Sequence, residues 1–222
     1  MSSVLLSDLI YHKKNMLTKE QCQFLVEEYY KIDNNNFKES SVNANTGDRE
    51  FSSFKRAVLI KDSEAEKLIF NTVELIINEY MDYLDNFGMF HKFIRGSMLY
   101  AQSHRILKYE TGSKIHPHVD DSPFIYGSCT INLNNNYTGG DFVFWNGTHK
   151  IKLDEGEAMI FPADFFWVHE VEEIESGTRY SYNTFLTTIV PEFANHVLER
   201  INVERTTEQY KFAQRSEFKI KK

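Results

Sequence analysis

Two histidines, an aspartate and an arginine in the second half of the sequence have the chemical types and the order of a metal site. His118 and Asp120 are separated by one residue, His169 follows much later, and Arg179 comes ten positions after His169. Residues i and i+2 of a strand project from one face, so His118 and Asp120 would project together. Two imidazoles and one carboxylate form the facial triad that holds non-haem Fe(II) and leaves positions open for O₂. The pattern therefore predicts an oxygenase.

The HxD pair alone is weak evidence, because the chain contains eight histidines and 32 acidic residues. A solvated strand end carrying a histidine and an aspartate would explain that pair. A single downstream histidine is usually a packed or surface residue. The complete order favours the metal site, because it combines HxD, a long β-rich interval, a further histidine and then an arginine.

The composition indicates an ordinary globular protein. The 222 residues suit one domain with a sizeable core, and 41% of them are hydrophobic and 14% aromatic. The net charge of −7 argues against a general binder of nucleic acids or membrane surfaces, because such proteins are normally basic. We therefore expect neither nucleic acid nor a membrane among the partners.

Three further features bear on the cellular compartment. Cys22 and Cys129 lie in apolar patterned segments, which favours buried free thiols over a disulfide or a cysteine–metal site. The opening MSSVLLSDLIYHKK lacks the core and cleavage site of a signal peptide. No apolar run reaches membrane-spanning length. A reducing, cytoplasmic compartment is the expectation, and it would help to keep iron ferrous.

Helices are predicted in the first half of the chain. Thr18, with Gln21 three residues later, forms a capping box that starts one helix. Asp62 or Ser63 can cap a second helix that runs to about Leu84, since apolar residues recur there at helical spacing.

Other stretches of the first half carry alternatives. The polar segment 32–53 is predicted to be either a solvated loop or a mobile lid over the site, because it is too polar for a core. Ala57–Ile60 indicates a short strand. The aromatic stripe of Tyr80, Tyr83 and Phe87 indicates helix packing rather than a cofactor site.

From about Met98 the hydrophobic pattern changes to short strands separated by turn signals. Asn146-Gly147 is a strong two-residue hairpin signal, and Ser176-Gly177 indicates a turn before the last strand. The predicted strands are Met98–Tyr109, Ile115–Asp120, Gly127–Leu133, Asp141–Trp145, His149–Leu153, Glu157–Phe161, Trp167–Val171 and Arg179–Ile189. Eight closely spaced strands predict a double-sheet jelly roll, with the early helices outside one sheet.

We therefore predict a single domain over residues 1–222. Residues 1–97 are expected to be a helical and strand support region, residues 98–189 the β core, and residues 190–222 a short helix and a polar tail. The sequence leaves open the oligomeric state, and whether the tail is a surface helix or a dimer contact.

The β core resembles the prolyl 4-hydroxylase branch of the 2-oxoglutarate and Fe(II)-dependent oxygenases. The motifs that carry the resemblance are Tyr109-x-x-Gly112-x-x-Ile115-x-x-His118-x-Asp120, Gly139-Gly140-Asp141, His169-Glu170-Val171 and Gly177-Thr178-Arg179-Tyr180. The resemblance is strong over residues 98–189 and weak in the amino-terminal half. The motifs are more specific for the cofactors than for the substrate.

The resemblance implies a mainly β fold, a double-stranded β-helix with helices supporting one sheet. It implies a catalytic Fe(II) with His118, Asp120 and His169 as ligands. It also implies that Arg179 holds the far carboxylate of 2-oxoglutarate, because a guanidinium fork matches a carboxylate in two parallel hydrogen bonds. Tyr109 matches a family tyrosine that hydrogen-bonds the same carboxylate.

Two asparagines are further candidates for binding the cosubstrate. Asn132 faces inward by strand alternation, and Asn183 shares one face of its strand with Arg179. The alternative for Arg179 is a surface salt bridge, and the alternative for Tyr109 is a packed barrel tyrosine.

The chain departs from the family pattern at two places. Many members carry Gly-Gly-Glu-Thr where this chain has Gly139-Gly140-Asp141-Phe142, so a threonine contact to the cosubstrate is lost. The aromatic residue six positions after the basic residue is often Trp, and here it is Phe185. Both differences concern the 2-oxoglutarate pocket and not the iron ligands.

The resemblance implies a dioxygenase that hydroxylates a C–H bond with O₂ and decarboxylates 2-oxoglutarate to succinate and CO₂, with ascorbate as a candidate reductant. The first implied substrate is a peptidyl proline, so a protein or peptide is the expected partner. Another amino acid, a small metabolite or an alkylated nucleic acid are alternatives, although nucleic-acid demethylases carry a second arginine where this chain has Phe185. A non-enzymatic jelly-roll binding module is the alternative of another class.

Overall fold

A computed structural model of the chain describes residues 4–32, 39–87, 91–120, 124–190 and 193. Residues Met1–Thr188 form one compact unit and residues Ile189–Lys222 a second. The helix expected at the start of the tail lies outside the described residues, apart from Phe193. The prediction of a single domain over residues 1–222 stays a prediction. Within the described part, no helix combines the length and the apolar character needed to cross a membrane.

The helices begin at the capping residues that the sequence indicates. Thr18 accepts a hydrogen bond from the backbone N–H of Gln21, and the Gln21 side chain accepts one from the backbone N–H of Thr18, which confirms the capping box. Ser63, and not Asp62, caps the long helix. The helices are α1 (Lys19–Lys31), α2 (Glu64–Asp85) and α3 (His91–Ser97), preceded by a short 3₁₀ turn at Leu6–Leu9. The sequence analysis did not predict α3.

Two antiparallel sheets face each other and confirm the mainly β double-stranded β-helix. The strands are β1 (Tyr11–Lys13), β2 (Ser40–Val42), β3 (Arg49–Phe51), β4 (Lys55–Val58), β5 (Tyr100–Glu110), β6 (Ile115–His118), β7 (Ile125–Asn132), β8 (Tyr137–Gly139), β9 (Phe142–Phe144), β10 (His149–Ile151), β11 (Ala158–Pro162), β12 (His169–Val171) and β13 (Ile174–Thr187). The larger sheet has the order β1-β11-β7-β13-β5-β4, with β8 paired to β13. The smaller sheet has the order β10-β9-β12-β6.

The predicted turn at Ser176-Gly177 is wrong, because β13 continues through it. The unpredicted strand β8 supplies the partner, with Ser176 opposite Thr138 and Gly177 opposite Tyr137. Gly177 takes a left-handed conformation with φ +80°. A glycine tolerates that conformation inside a paired strand, so the turn signal there marks an irregularity of the pairing rather than a chain reversal.

The hairpin at Asn146-Gly147 exists, but its loop is longer than the two-residue turn that this dipeptide signals. Phe144 pairs with His149, which leaves residues 145–148 between the strands. Trp145, Asn146 and Gly147 all have positive φ. The dipeptide therefore marks the hairpin correctly and gives its length wrongly.

Part of the polar segment 32–53, predicted to be a solvated loop or a mobile lid, forms a largely exposed hairpin. Strands β2 and β3 pair as a hairpin, and we refer to residues 39–53 as the flap. The flap is attached to β6, because the Ala44 N–H donates to the Pro117 carbonyl at 2.7 Å and Ser41 shares a hydrogen bond with His116 at 2.9 Å. Residues 33–38 lie outside the described residues.

The helices pack on the outer face of the larger sheet, as predicted. The residues of this core include Cys22, Leu25, Ile69, Ile76 and Tyr80 from the helices and Ile106, Ile131, Ile160 and Tyr182 from the sheet. Cys22 and Cys129 are buried and free, which confirms the expectation for both. The hydroxyl groups of Tyr80 and Tyr83 donate to backbone carbonyls near the amino terminus, so the aromatic stripe serves packing. With the outer face covered, the opposite face of the sheet lines the interior.

Replacing Ile76 by alanine should lower the free energy of unfolding by about 2–5 kcal/mol, because the site is fully buried between α2 and the sheet and cannot collapse completely. Leu75→Ala is the matched control, since Leu75 is 52% exposed on the same helix, and its effect should stay within about 0.5 kcal/mol. Urea denaturation followed by circular dichroism measures both. Equal losses would contradict the packing described for α2.

Candidate metal centre

The structure brings His118, Asp120 and His169 together. His118 ends β6, His169 begins β12, and the two residues are opposite each other in the antiparallel pairing of these strands. Asp120 follows β6 and lies 3.6 Å from the Nε2 of His118 and 3.9 Å from the Nε2 of His169. One candidate ligand atom from each residue lies within 4.8 Å of the others. This is the donor set that the facial triad requires.

Both imidazoles are held with Nε2 facing Asp120. The Nδ1 of His118 lies 2.9 Å from the His116 carbonyl, and the Nδ1 of His169 lies 3.0 Å from the Trp167 carbonyl. A carbonyl oxygen only accepts, so each Nδ1 carries a proton, and in the neutral form each ring presents its Nε2 lone pair. Such backbone anchors fix the tautomer and orientation of metal-binding histidines.

The protonation equilibria of the three groups are linked by burial and proximity. Burial, together with the neighbouring His118, lowers the pKa of His169 to about 4. Burial also disfavours a charged His118, but the Asp120 carboxylate outweighs it and raises the pKa of His118. Burial works against a charged Asp120, yet the two imidazoles and Arg105 hold the pKa of that carboxyl below its ordinary value. Asp120 is therefore available as an anionic ligand.

Aromatic residues surround His169 and keep the centre rigid. The ring of Phe161 lies 5.0 Å from the imidazole of His169 in an edge-on arrangement, and the ring of Phe144 lies 5.8 Å away. Both are fully buried. A rotation of the imidazole would require these rings to move.

Arg179 is a buried guanidinium whose hydrogen bonding is incomplete. It is 1% exposed, and its Nε donates to the Oδ1 of Asn132 at 3.3 Å. Its guanidinium carbon lies 5.1 Å from the ring centroids of both Tyr109 and Phe142. Its Nη1 is buried without a partner, and none of the ion pairs among the described residues involves Arg179. A buried cation in this state suits the far carboxylate of a bound diacid.

Asn132 holds Arg179 and has little capacity left for a ligand. Its Nδ2 donates to the carbonyls of Asn134 and Leu153, and its Oδ1 also accepts from the Tyr137 hydroxyl. The side chain therefore uses both donors and both acceptor positions inside the protein. This arrangement favours a positioning role for Asn132 over the cosubstrate contact that the sequence suggested.

Two glycines allow the chain to pass close to Arg179. Gly139 and Gly140 have φ of +75° and +71°. A Cβ at Gly140 would lie 2.4 Å from the Cδ1 of Ile174 and 3.3 Å from the Cδ of Arg179. Both glycines are therefore required by backbone conformation, Gly140 also by its packing against Ile174 and Arg179, and Gly139 by the Glu173 carbonyl that a Cβ would meet at 2.2 Å.

Tyr109 lies beside Arg179, opposite it in the pairing of β5 with β13. The ring is buried against Phe54, with 5.4 Å between the centroids. Burial raises the pKa of Tyr109, although the charges of Arg179 and Arg105 partly oppose it. Tyr109 thus keeps its phenolic proton and could donate it in a hydrogen bond to an anion.

Asn183 forms hydrogen bonds with a second arginine, Arg105, and not with Arg179. Its Oδ1 accepts from the Nε and Nη2 of Arg105 at 2.9 and 2.7 Å, and Arg105 also pairs with Glu39 of the flap. Sequence reasoning missed Arg105 and Glu39. Counting back along β5 from Tyr109 in steps of two gives Leu107 and Arg105, so strand alternation could have placed Arg105 inside.

The comparisons with known proteins agree with this geometry. A family model described as the 2OG-Fe(II) oxygenase superfamily matches residues 104–187. A PKHD-type hydroxylase of Hyphomonas neptunium is 34% identical over 98 residues, which cover 38% of this chain and 42% of that protein. The chain thus matches less than half the length of this relative.

Solved structures share the fold at low sequence identity. A prolyl-4-hydroxylase of Pseudomonas putida has a TM-score of 0.59 at 14% identity, covering 83% of this chain and 97% of that one. A viral collagen prolyl hydroxylase of Paramecium bursaria Chlorella virus-1, solved with 2-oxoglutarate, has a TM-score of 0.58 at 13% identity and coverage of 82% and 97%. A prolyl hydroxylase of Trichoplax adhaerens, in complex with a hypoxia inducible factor peptide fragment, has a TM-score of 0.58 at 14% identity and coverage of 86% and 87%.

His118→Ala should weaken Mn(II) binding by at least about 100-fold, because loss of even an outer-shell partner of a metal ligand costs about 10–100-fold. Electron paramagnetic resonance of free Mn(II) under titration measures the affinity. His116→Ala is the matched control, since His116 lies on the same strand but bonds Ser41 of the flap. A similar loss in both variants would argue against His118 as a ligand.

Gly140→Ala should weaken 2-oxoglutarate binding to the Mn(II)-loaded protein, because the new methyl group would lie 2.4 Å from the Cδ1 of Ile174 and 3.3 Å from the Cδ of Arg179, so both side chains must shift in addition to the backbone strain. Gly147→Ala carries the same kind of strain, about 1–2 kcal/mol, but a Cβ there meets nothing within 4 Å. Calorimetric titration of 2-oxoglutarate compares the two variants. Equal affinities would show that Gly140 does not shape the pocket of Arg179.

Proposed function

We propose, from the premise that residues 104–187 belong to the 2OG-Fe(II) oxygenase superfamily, that this protein is a 2-oxoglutarate-dependent dioxygenase that hydroxylates a C–H bond. In the net reaction one oxygen atom of O₂ enters the substrate as hydroxyl. The other enters succinate as 2-oxoglutarate loses CO₂. Bound ferrous iron would supply the O₂ chemistry, and the chain would position the iron, 2-oxoglutarate and the substrate.

One observation carries the proposal: a buried guanidinium without a described counter-ion lies inside the same β-helix as a three-residue metal-ligand cluster. A structural salt bridge would not leave the Nη1 of Arg179 without a partner. A non-enzymatic binding module would not need both features together. A metal chelator that also ends in a second carboxylate, as 2-oxoglutarate does, would satisfy both.

The residues of the chain take separate roles in this proposal. His118, Asp120 and His169 would hold iron, with the two Nδ1 anchors keeping the imidazoles in place. Arg179 would bind the far carboxylate of 2-oxoglutarate, and Tyr109 would add a hydrogen bond to it. Asn132 and the ring of Phe142 would keep the guanidinium in position, so Phe142 takes part where relatives carry threonine.

For the substrate we propose a peptidyl proline. Support comes from the prolyl hydroxylases that share the fold, one of which is bound to a peptide, and from the PKHD-type hydroxylase relative. The flap borders the candidate metal centre through its bonds to His116 and Pro117. An extended peptide could lie against it. Ascorbate is proposed as the reductant that keeps iron ferrous.

The direct test is succinate release by the purified protein with ferrous iron, ascorbate, 2-oxoglutarate and a proline-containing peptide. Mass spectrometry should show one added oxygen atom on the peptide. His118→Ala should remove both products. Succinate release that persists in His118→Ala would overturn the ligand assignment, and a loaded protein that releases none with any substrate would overturn the activity.

Arg179→Met should raise the KM for 2-oxoglutarate by roughly 30-fold or more, because removing one partner of a buried charge pair costs about 2–5 kcal/mol. Arg179→Lys should recover only part of this loss, since an ammonium lacks the guanidinium fork. Arg49→Met, which removes an exposed arginine of the flap, is the control and should leave KM unchanged. Steady-state succinate assays measure all three variants, and a native-like KM in Arg179→Met would contradict the role of Arg179.

A further inference from the structure

Arg105 occupies the same inner wall as Arg179. Arg179 is opposite Tyr109 in the sheet and Asn183 is opposite Arg105, so the two arginines lie four strand positions apart. At the rise of a strand this is roughly 13 Å. Like Arg179, Arg105 is buried, with 6% of its surface exposed. The interior therefore contains a second fixed cation that the proposed function does not use.

The sheet itself holds the guanidinium of Arg105. Asn183 accepts from its Nε and Nη2, and the Asn183 amide in turn donates to the Cys129 carbonyl at 3.4 Å. The ring of Phe185 lies 4.7 Å from the guanidinium carbon. These contacts orient the group without any help from the flap, and they leave Nη1 for another partner.

That partner is a carboxylate from outside the β-helix. Glu39, at the start of the flap, accepts a hydrogen bond from the Nη1 of Arg105 and another from Arg56. The Glu39 side chain is 21% exposed, whereas that of Arg105 is 8% exposed. A buried ion pair is weak evidence for a stabilising role, because desolvation offsets its attraction. Arg105 points inward, and its counter-ion Glu39 comes from the flap. This arrangement is better explained by recognition of an anion.

The flap connects Arg105 to the strand of the metal centre. Glu39 pairs with Arg105, and Ser41, two residues later in the flap, shares a hydrogen bond with His116, two residues before His118. A group that replaced Glu39 at Arg105 would therefore lie on the side of the interior that the flap shares with the metal centre.

We propose that Arg105 binds a carboxylate of the substrate, and that Glu39 occupies this position until an acidic substrate replaces it. The proposal rests on the proposed function, because it concerns the substrate of that same site. The carboxylate could come from an acidic side chain next to the proline of a peptide, or from the α-carboxylate of free proline. A guanidinium binds either source through the same paired hydrogen bonds.

The test uses the whole 222-residue chain loaded with Mn(II) and 2-oxoglutarate, together with two pairs of probes. One pair is Ac-Ala-Pro-Glu-Ala-NH2 and its Gln counterpart, and the other is L-proline and L-prolinamide. Mn(II)-enhanced proton relaxation of each probe reports both binding and proximity to the metal. In one pair, the acidic probe should bind at least tenfold more tightly than its neutral counterpart, and the pair that shows this difference identifies the source of the carboxylate.

Variants then assign the preference to Arg105. Arg105→Gln should reduce the acid-over-amide ratio to about one, Arg105→Lys should retain part of it, and Glu39→Gln should increase affinity for the acidic probe severalfold. Arg95→Gln removes an exposed arginine of α3, outside the flap, and should change nothing. Circular dichroism verifies that each variant is folded. If Arg105→Gln does not fold, Arg105→Lys provides the test in its place.

Two results would overturn the proposal. One is an absence of acid preference in both probe pairs. The other is an acid preference that persists in Arg105→Gln. If Arg105→Gln and Glu39→Gln then also melt at lower temperature, the pair serves to stabilise the fold. Failure of Mn(II) to bind would refute the proposed function and not the role of Arg105. Calorimetric titration of the same probes needs no metal. The acid-over-amide ratio that it measures therefore tests Arg105 in either case.

Discussion

The antiparallel register between β6 and β12 is the constraint on which the site depends. It sets His118 opposite His169 and leaves Asp120, just beyond β6, between the two Nε2 atoms. Strand side chains alternate between faces, so a slip of one residue would turn a histidine out of the interior. The backbone carbonyls that hold each Nδ1 belong to the residues two positions earlier. The strands therefore determine both where the imidazoles lie and which nitrogen is free.

The larger sheet holds two guanidinium groups, those of Arg179 and Arg105, in the interior of the protein. Each is fixed by a neutral asparagine and an aromatic ring, Asn132 and Phe142 for Arg179 and Asn183 and Phe185 for Arg105. Amides and rings orient a cation without neutralising it. The positive charge therefore stays available to anions that come from outside the sheet, and Glu39 shows that one of the two positions accepts a carboxylate.

Local sequence signals predicted the elements well where one local interaction decides the structure. The caps at Thr18 and Ser63 are examples, because each is completed within three residues. The prediction at Ser176-Gly177 failed because the pairing of β8 extends β13 through a glycine that usually marks a turn. The candidate cosubstrate ligands Asn132 and Asn183 were placed inside correctly, but alternation specifies the face of a strand and not the partner of a side chain.

The sequence by itself determined the types and order of the candidate metal ligands, the strand alternation that turns Asn132 and Arg179 inward, and the mainly β fold. Only the tertiary structure decided which polar groups meet. It joins Asn132 to Arg179 across 47 residues and Glu39 to Arg105 across 66. The physical reason is that periodicity and capping depend on neighbours in the chain. A hydrogen bond between distant side chains depends instead on the packing of whole sheets, which sets the distance and angle between the two groups.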